Sequence, residues 1–298
     1  MKVAVQKLTF SQIVTHVIFI MLCLICIVPL LLVLSISLTN ERSLLLDGYR
    51  FIPNIWSIKA YKYVFSGASS VINAYSVTIF VTFVGTVLHL LITSMLSYAL
   101  SRREVTLRNI ISLFVYIPVL FNGGLVPTYI LLTRTLKLKN TIWVLIIVYL
   151  VSAIHVLIMK NFFKSIPDSL IESARIDGSG EFRTFFQIVI PLSIPSIATI
   201  GLFVSIAYWN DWITCSLYIE RQNLYTLQFL LQSLMNNIGY LQANVQQASR
   251  SAEKLLAELP SEGARMATCV LSIGPIILLY PFLQKYVVRG LIIGAVKG

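Results

Sequence analysis

The side chains best suited to chemistry in this sequence are four acids and one arginine in a single short stretch. Asp168, Glu172, Asp177 and Glu181 are four of the chain's 12 acidic residues, and Arg175 lies among them. Charged groups at this density form ion pairs with a polar protein surface. They predict recognition of a soluble partner rather than catalysis, and the alternative is a solvated loop with no partner.

The residues around this stretch predict a short helix over 167–177. Ser165 is expected to cap its N-terminus, Pro167 suits its first turn, and Asp168 complements the positive end of the helix dipole. Gly178 is expected to end the helix, because glycine adopts the left-handed conformation of a C-cap at little cost.

The predicted helix is amphipathic. Leu170, Ile171 and Ala174 share one face, while Glu172 and Arg175 are three residues apart and close enough to pair. A second apolar helix is expected to follow, with phenylalanines at its start and two prolines within it: Phe182, Phe185, Phe186, Pro191 and Pro195. A stiff unit of this kind could transmit a displacement from a soluble partner to the apolar helix.

The composition indicates which solvent surrounds the rest of the chain. Hydrophobic residues make up 57% of the sequence and charged residues only 12%, against about 25% charged in a soluble domain. The mean hydropathy is +0.83. Lipid must therefore surround much of the chain. The net charge of +11 comes from scattered single residues, which indicates anionic membrane headgroups as partners and not nucleic acid.

Six apolar runs are long enough to cross a bilayer as helices, which takes about 20 residues each. The predicted fold class is therefore all-α, a polytopic membrane protein with spans at 12–38, 74–100, 109–132, 141–160, 186–208 and 266–286. The first run is too long for the apolar region of a cleaved signal peptide, and no A-x-A-like site follows it. It is expected to be a retained anchor.

Few polar groups interrupt these predicted spans. His16, His89 and His155 are expected to pack between helices or at the membrane interface, the alternative being a role as proton carriers. Cys23 and Cys26 form a C-x-x-C inside an apolar run. They are expected to behave as small hydrophobic residues rather than as a redox pair or a metal site.

The segments between the spans indicate an orientation. Lys and Arg are denser on the side that holds both termini, which favours a cytoplasmic N-terminus and C-terminus. The predicted organisation is listed from the N-terminus as a cytoplasmic segment 1–11, a first span 12–38, an external segment 39–73, a five-helix core 74–286 and a cytoplasmic tail 287–298. The core includes a cytoplasmic loop at 161–185, which holds the acidic stretch, and a long external loop at 209–265.

The acidic stretch resembles the EAA loop of ABC importer permeases, which have the all-α MetI-like fold. Glu172, Ser173 and Ala174 stand where that motif has E-A-A, Gly178 follows three residues later, and Ile188-Val189-Ile190-Pro191 matches its I-x-L-P end. Ser173 and Ile190 depart mildly from the motif. In that family the loop is a coupling helix that docks on an ATPase subunit. The resemblance implies coupling residues at Asp168, Glu172, Ser173, Ala174, Arg175, Asp177, Gly178 and Pro191.

Three further stretches resemble the carbohydrate-uptake, MalG-like branch of this family, and within it the Lpl-type permeases. They are FNGGLVPTYILL (121–132), YWNDWITCSLYI (208–219) and QKYVVRGLIIGAVKG (284–298). The resemblance implies an oligosaccharide or polysaccharide substrate, a sister permease, two cytoplasmic ABC ATPase subunits and an extracellular solute-binding lipoprotein. It also implies that a tail with Lys285 and Lys297 reaches the ATPase dimer.

Two of these stretches also have a physical interpretation. Residues 121–127 interrupt the third span and leave backbone polar groups without helical hydrogen bonds at membrane depth. Such groups favour a position that lines a pathway, and the alternative is a simple proline kink. The 208–212 stretch offers aromatic rings and an amide to a sugar, the alternative being the aromatic belt of a membrane interface. The predicted pathway residues are Asn122, Gly123, Gly124, Pro127, Tyr208, Trp209, Asn210 and Trp212.

The sequence lacks the motifs of an independent enzyme. It has no G-x-x-x-x-G-K-[ST] and no H-E-x-x-H, so no cofactor is expected in this chain, and ATP and Mg²⁺ are expected to bind the partner ATPase. A permease for another solute class remains an alternative. An ion-coupled secondary transporter and a membrane enzyme are disfavoured, because the predicted spans lack interior acids, metal motifs and nucleophiles.

Overall fold

The structure, a computed structural model, describes residues 10–121, 123–245, 262–275 and 277. These residues are mostly helical, with no β-strand beyond one isolated bridge between Thr39 and Trp56. The helices are α1 (Phe10–Ser37), α2 (Glu41–Asp47), α3 (Lys59–Val64), α4 (Ala68–Ser101), α5 (Arg108–Leu120), α6 (Leu125–Ile130), α7 (Ile142–Ile147), α8 (Ala153–Lys164), α9 (Asp168–Ile176), α10 (Glu181–Thr184), α11 (Ile190–Leu192), α12 (Ile194–Asn210), α13 (Ile213–Tyr218), α14 (Leu227–Val245) and α15 (262–275). Two π-helical turns, Leu131–Thr135 and Phe185–Val189, follow α6 and α10 directly.

The chain divides into two compact units, Met1–Ala68 with Leu234–Ile273, and Ser69–Ser233 with Gly274–Gly298. In the first unit, the carboxylate of Glu41 accepts hydrogen bonds from the backbone N–H groups of Glu262 (3.0 Å) and Gly263 (3.2 Å). Glu41 of α2 therefore binds the first two described residues of α15.

Two described helices, α1 and α4, are long and apolar enough to cross a membrane. The number rises to four if each of two bent pairs is one span: Arg108–Leu120 with Leu125–Thr135, and Glu181–Leu192 with Ile194–Asn210. These helices correspond to the first, second, third and fifth predicted spans. The predicted sixth span, 266–286, runs beyond the described residues.

The fourth predicted span, 141–160, is interrupted at 148–152, between α7 and α8. The break frees backbone carbonyl groups, and His89 Nδ1 lies 2.7 Å from the carbonyl oxygen of Tyr149. His155 Nδ1 lies 3.0 Å from His89 Nε2. Irregular backbone at membrane depth is stable where protein satisfies its polar groups, so this pair supports the break. Both histidines pack between helices, as expected.

Tyr208 contacts the other side of the same break. Its hydroxyl donates to the carbonyl oxygen of Ile146 at 2.7 Å. Its ring packs on Gly85, where a Cβ atom would lie 2.5 Å from the ring. Gly85 thus allows the close approach of α4 and α12.

The hydrophobic core of the second unit lies among α4, α7, α8, α12, α13 and the Phe185–Val189 turn. Burial of each CH₂ group contributes about 0.8 kcal/mol, so this core holds the break and the helix ends in place. Its members include Val81, Tyr98, Val144, Met159, Phe163, Phe185, Val189, Ile200, Val204 and Cys215.

The connection that follows α9 contains a bend. Glu181–Leu192 and Ile194–Asn210 meet at 80°, with Ser193 between them. Pro195 has no N–H to offer the carbonyl of Pro191, four residues earlier, so a straight helix cannot continue through this point. Pro191 and Pro195 flank the bend, and the predicted stiffness of this connection stays a prediction.

Candidate functional site

The helix predicted over 167–177 is present as α9, Asp168–Ile176. Its N-cap residue is Pro167, and no side chain caps it. The predicted cap by Ser165 is wrong, because the Ser165 hydroxyl donates to the carbonyl oxygen of Phe162 at 2.7 Å. Asp168 in the first turn and Arg175 in the last turn still complement the helix dipole.

Gly178 ends α9 in the left-handed conformation, with φ of +78°. The N–H of Ser179 donates to the carbonyl oxygen of Ala174 at 2.9 Å, and the N–H of Gly178 to that of Arg175 at 3.0 Å. A Cβ atom at Gly178 would meet nothing within 4 Å. The predicted C-cap is confirmed, and its requirement for glycine is conformational rather than steric.

Arg175 joins three segments of the chain. It donates from Nη2 (2.8 Å) and Nε (3.1 Å) to Glu181 Oε1, and from Nη1 to Glu104 Oε1 (2.9 Å). The predicted pair of Glu172 and Arg175 is wrong, because the turn at Gly178 brings Glu181 back to the guanidinium. Each exposed ion pair contributes at most about 1 kcal/mol, but the three groups form a network.

The electrostatics of this network favour its charged form. Hydrogen bonds from its own backbone N–H and from Arg175 hold the pKa of Glu104 below its usual value. Hydrogen bonds to Glu104 and Glu181 raise the pKa of Arg175. Both pKa shifts favour the ionised forms of Glu104 and Arg175 at neutral pH.

Both ends of α9 are tied to the C-terminal end of α4. At the start of α9, Arg102 Nη1 lies 3.3 Å from Asp168 Oδ1. Beyond its end, the Tyr98 hydroxyl donates to Glu181 Oε2 at 2.8 Å, while Glu181 Oε1 accepts from Arg175. The ring of Tyr98 packs on Phe185, with centroids 5.3 Å apart. A displacement of α9 therefore acts on α4 at two points.

The inner face of α9 is narrower than predicted. Ile171 and Ala174 are buried, but Leu170 is 44% exposed and Ile176 is 87% exposed. The side chains of Glu172, Ser173 and Asp177 are exposed as well. The free face of α9 thus combines two apolar side chains with acidic and hydroxyl groups, a mixture typical of protein-binding surfaces.

The 121–132 stretch contains the bend between α5 and α6, and its residues from Gly123 to Thr128 are exposed. Gly124 has φ of +84°, and α6 starts directly after it at Leu125. Gly123, Gly124 and Pro127 are exposed. Asn122 lies outside the described residues, as do the predicted tail contacts Lys285 and Lys297.

The 208–212 stretch divides into buried and exposed residues. Tyr208 and Trp209 are 2% and 5% exposed, so they pack within the chain. Trp212 is 42% exposed, and the exposed Asn210 accepts a hydrogen bond from Gln228 Nε2 at 3.4 Å. Within the described part of the chain, Asn210 and Trp212 are the pathway candidates of this stretch that a ligand can reach.

Sequence reasoning missed Tyr98, Arg102 and Glu104 as parts of this site. The sequence did contain one signal, the charged run Arg102-Arg103-Glu104 at the end of the second predicted span. The pairing of Tyr98 with Glu181, 83 residues later, has no sequence signal.

In the described residues, no group of three or more His, Cys, Asp or Glu side chains is arranged to hold a metal ion.

These features define a helical protein with apolar helices long enough to cross a membrane and a surface helix tied to one of them. Residues 90–293 match the family described as "Binding-protein-dependent transport system inner membrane component", and the chain belongs to that family. The predicted membership of the ABC importer permeases and their all-α MetI-like fold are confirmed, while the six spans and the cytoplasmic position of both termini stay predictions.

The relatives of this chain include sugar permeases. The polygalacturonan/rhamnogalacturonan transport system permease protein YtcP of Bacillus subtilis (strain 168) is 35% identical over 278 residues, which cover 93% of this chain and 95% of YtcP. Protein LplC of the same organism is 36% identical over 276 residues, 92% of this chain and 90% of LplC. Both alignments extend over nearly the full length of each protein.

A solved structure shares the fold. It is described as the crystal structure of a bacterial ABC transporter involved in the import of the acidic polysaccharide alginate. The TM-score is 0.80 at 26% identity, over 96% of this chain and 99% of the solved chain.

Proposed function

We propose that this chain is a permease subunit that imports an oligosaccharide or polysaccharide fragment, driven by a separate ATPase. Relatives with polysaccharide transport names support the substrate class. The observation that carries the coupling mechanism is the double attachment of α9 to α4, through Arg102–Asp168 and Tyr98–Glu181.

The proposed assembly contains this chain, a sister permease, two cytoplasmic ABC ATPase subunits and an extracellular solute-binding lipoprotein. ATP and Mg²⁺ bind the ATPase subunits. This chain crosses the cell membrane six times with both termini in the cytoplasm, so α9 lies on the ATPase side. The exposed face of α9, with Leu170, Glu172, Ser173, Ile176 and Asp177, is the docking surface.

The coupling acts through differential binding of ATP to two states of the assembly. Closure of the ATPase dimer displaces α9 and its C-cap at Gly178. The displacement reaches α4 through Arg102 and Tyr98, and it reaches α12 through the bend between Pro191 and Pro195. The resulting tilt of these helices alternates access to the pathway.

The sugar contacts are proposed at the exposed polar and kinked positions. Asn210 supplies an amide and Trp212 an apolar ring face, the two groups that a sugar's hydroxyl edge and ring face require. The kink with Asn122, Gly123, Gly124 and Pro127 is proposed to line the pathway. The tail with Lys285 and Lys297 is proposed to contact the ATPase dimer.

A labelling and cross-linking experiment tests the orientation and the docking surface. In a chain with its four cysteines replaced by alanine, Ser173→Cys on α9 is compared with Leu46→Cys on α2, in the predicted external segment. A membrane-impermeant maleimide is expected to label Leu46→Cys in intact cells and Ser173→Cys only after permeabilisation. Ser173→Cys is also expected to cross-link to the ATPase subunit. Labelling of Ser173→Cys from outside would overturn the proposal.

A further inference from the structure

A basic cleft of about 690 Å³ opens beside α9. It lies where three apolar helices end or begin: α4 ends at Ser101, α5 begins at Arg108, and α8 ends at Lys164. Its lining includes five basic side chains against three acids, and the basic ones are Arg102, Arg103, Arg108, Lys164 and Arg175. The cleft therefore carries a net positive charge at the ends of membrane helices.

Arg102 is buried in the wall of this cleft, where its guanidinium lies 5.1 Å from the centre of the Tyr98 ring but has too few hydrogen-bond acceptors. It is 7% exposed, and its Nε and Nη2 atoms are buried with no hydrogen-bond partner among the described residues. Only Nη1 approaches an acid, Asp168 Oδ1 at 3.3 Å, and the Asp168 side chain is 78% exposed, so water screens this pair. A buried guanidinium is costly unless a counter-charge compensates it.

The neighbouring basic side chains are not neutralised within the chain either. Arg103, Arg108 and Lys164 have no ion-pair partner in the part of the chain that the structure describes. Arg175 is already engaged by Glu104 and Glu181. The cleft thus holds three uncompensated cations and one under-compensated buried cation, an arrangement that attracts an anion.

An apolar pocket of about 370 Å³ adjoins the basic cleft. Arg102, Glu104 and Arg175 line both cavities. The rest of the pocket is mainly apolar, with Met95, Ala99, Phe182 and Phe185 among its residues. A ligand that fills both spaces has an anionic group joined to a hydrocarbon chain.

We propose that the cleft and the pocket together bind one anionic phospholipid, with its phosphate at the basic cleft and part of one acyl chain in the pocket. Basic clefts between membrane helices at headgroup depth bind such lipids. An acidic side chain of the ATPase would suit the cleft but has no apolar chain for the pocket. The inference rests on the proposed orientation, which places this cleft at the cytoplasmic leaflet. A lipid bound here would stabilise Arg102 and Tyr98, the two residues that attach α9 to α4.

The test uses the intact importer in phosphatidylcholine nanodiscs, with phosphatidylglycerol titrated in as the probe. Bound lipid is counted by native mass spectrometry. Arg103→Gln and Lys164→Gln remove exposed cleft charges, and each is expected to weaken phosphatidylglycerol binding about fivefold. Arg134→Gln and Arg221→Gln remove exposed charges outside the cleft and are the matched controls, with no change expected. Phe182→Ser is expected to weaken binding while leaving every charge in place.

Three results would overturn the inference. The first is unchanged phosphatidylglycerol binding in Arg103→Gln, Lys164→Gln and their double variant. The second is full displacement of the lipid by excess inorganic phosphate with no effect of Phe182→Ser, which would indicate a site for a free anion. The third is loss of the ATPase subunit from the cleft variants with lipid binding retained, which would indicate a protein-docking face. Lipid binding is read without transport, so a failure here leaves the labelling test of Ser173→Cys unaffected.

Discussion

The Tyr98 hydroxyl donates to Glu181 Oε2 at 2.8 Å, and Glu181 Oε1 accepts from Arg175. One carboxylate therefore links the end of a long apolar helix to the last turn of the surface helix α9. The link spans 83 residues of sequence, and in the proposed mechanism it passes a displacement of α9 to α4.

Tyr98→Phe is expected to lower the amount of sugar imported per ATP hydrolysed. The substitution keeps the ring between Phe163 and Phe185 and removes one hydrogen bond, at a cost of about 1 kcal/mol of stability. The measurement is uptake and ATP hydrolysis in the same proteoliposomes. Tyr225→Phe, whose hydroxyl lies 3.3 Å from the Glu220 carbonyl oxygen, is the control. An unchanged ratio of uptake to hydrolysis in Tyr98→Phe would contradict the role of this link.

Gly178→Leu is expected to uncouple uptake from ATP hydrolysis while the chain still inserts. A side chain at φ of +78° costs about 1–2 kcal/mol, so the C-cap rearranges and α9 loses its fixed position. Gly48→Leu is a control for strain outside α9, because Gly48 has φ of +71° and ψ of −166°, a conformation that strains a side chain at least as much. Equal loss of coupling in both variants would indicate general strain rather than a role of α9.

Glu172→Lys is expected to abolish ATP-driven uptake by placing a cation on the free face of α9. Glu172 is exposed and contacts no cation in the described part of the chain, so the fold should tolerate the change. The measurement is co-purification of the ATPase subunit together with uptake. Normal uptake with a bound ATPase subunit would show that Glu172 is not part of the docking surface.

The contribution of Glu104 to stability is expected to disappear in acid. Its pKa is lowered in the folded chain, so the stabilisation is complete above the unfolded pKa and is lost as pH falls through the folded pKa. The effect is at most a few tenths of a kcal/mol, because the pair is exposed. The difference in thermal unfolding temperature between the parent chain and Glu104→Gln should vanish at pH values below the usual pKa range of a carboxylate. A difference that grows as the pH falls would contradict the stabilising role of ionised Glu104.

His89→Phe is expected to destabilise the chain by about 1–3 kcal/mol, because it leaves the Tyr149 carbonyl unsatisfied inside the core. His155→Phe should cost less, since the hydrogen bond of His155 is to the Nε2 atom of His89 and not to a backbone carbonyl. Thermal unfolding of the two purified variants measures the difference. A larger loss for His155→Phe would contradict the role of His89 at the α7–α8 break.

Local features of α9 were predictable because they depend on neighbouring residues. The helix and its C-cap follow from Asp168, Gly178 and the periodicity between them, and both are present. The N-cap at Ser165 and the pair of Glu172 and Arg175 were wrong, since Phe162 and Glu181 offered better partners. Spacing along a helix shows which groups can meet, but it does not show which competing partner lies closer in space.

The interrupted helices show the same limit at a larger scale. The apolar run at 141–160 satisfies the length of a span, and nothing in its composition marks the break at 148–152. The break is stable because His89 and Tyr208, from two other helices, satisfy the Tyr149 and Ile146 carbonyls. Their contribution becomes visible only when the helices are packed.

The sequence by itself determined the membrane class, the helical fold, the permease family and the position of the surface helix. The membrane class, the helical fold and the position of the surface helix follow from composition, apolar run length and short spacings, which act over a few helical turns. The family follows from the resemblance of the 172–191 stretch to a known motif. Only the tertiary structure decided that Tyr98, Arg102 and Glu104 hold that helix, and that a basic cleft adjoins an apolar pocket there. The physical reason is that hydrogen bonds and ion pairs act over a few ångströms, and residues distant in sequence meet at such distances only after the helices pack.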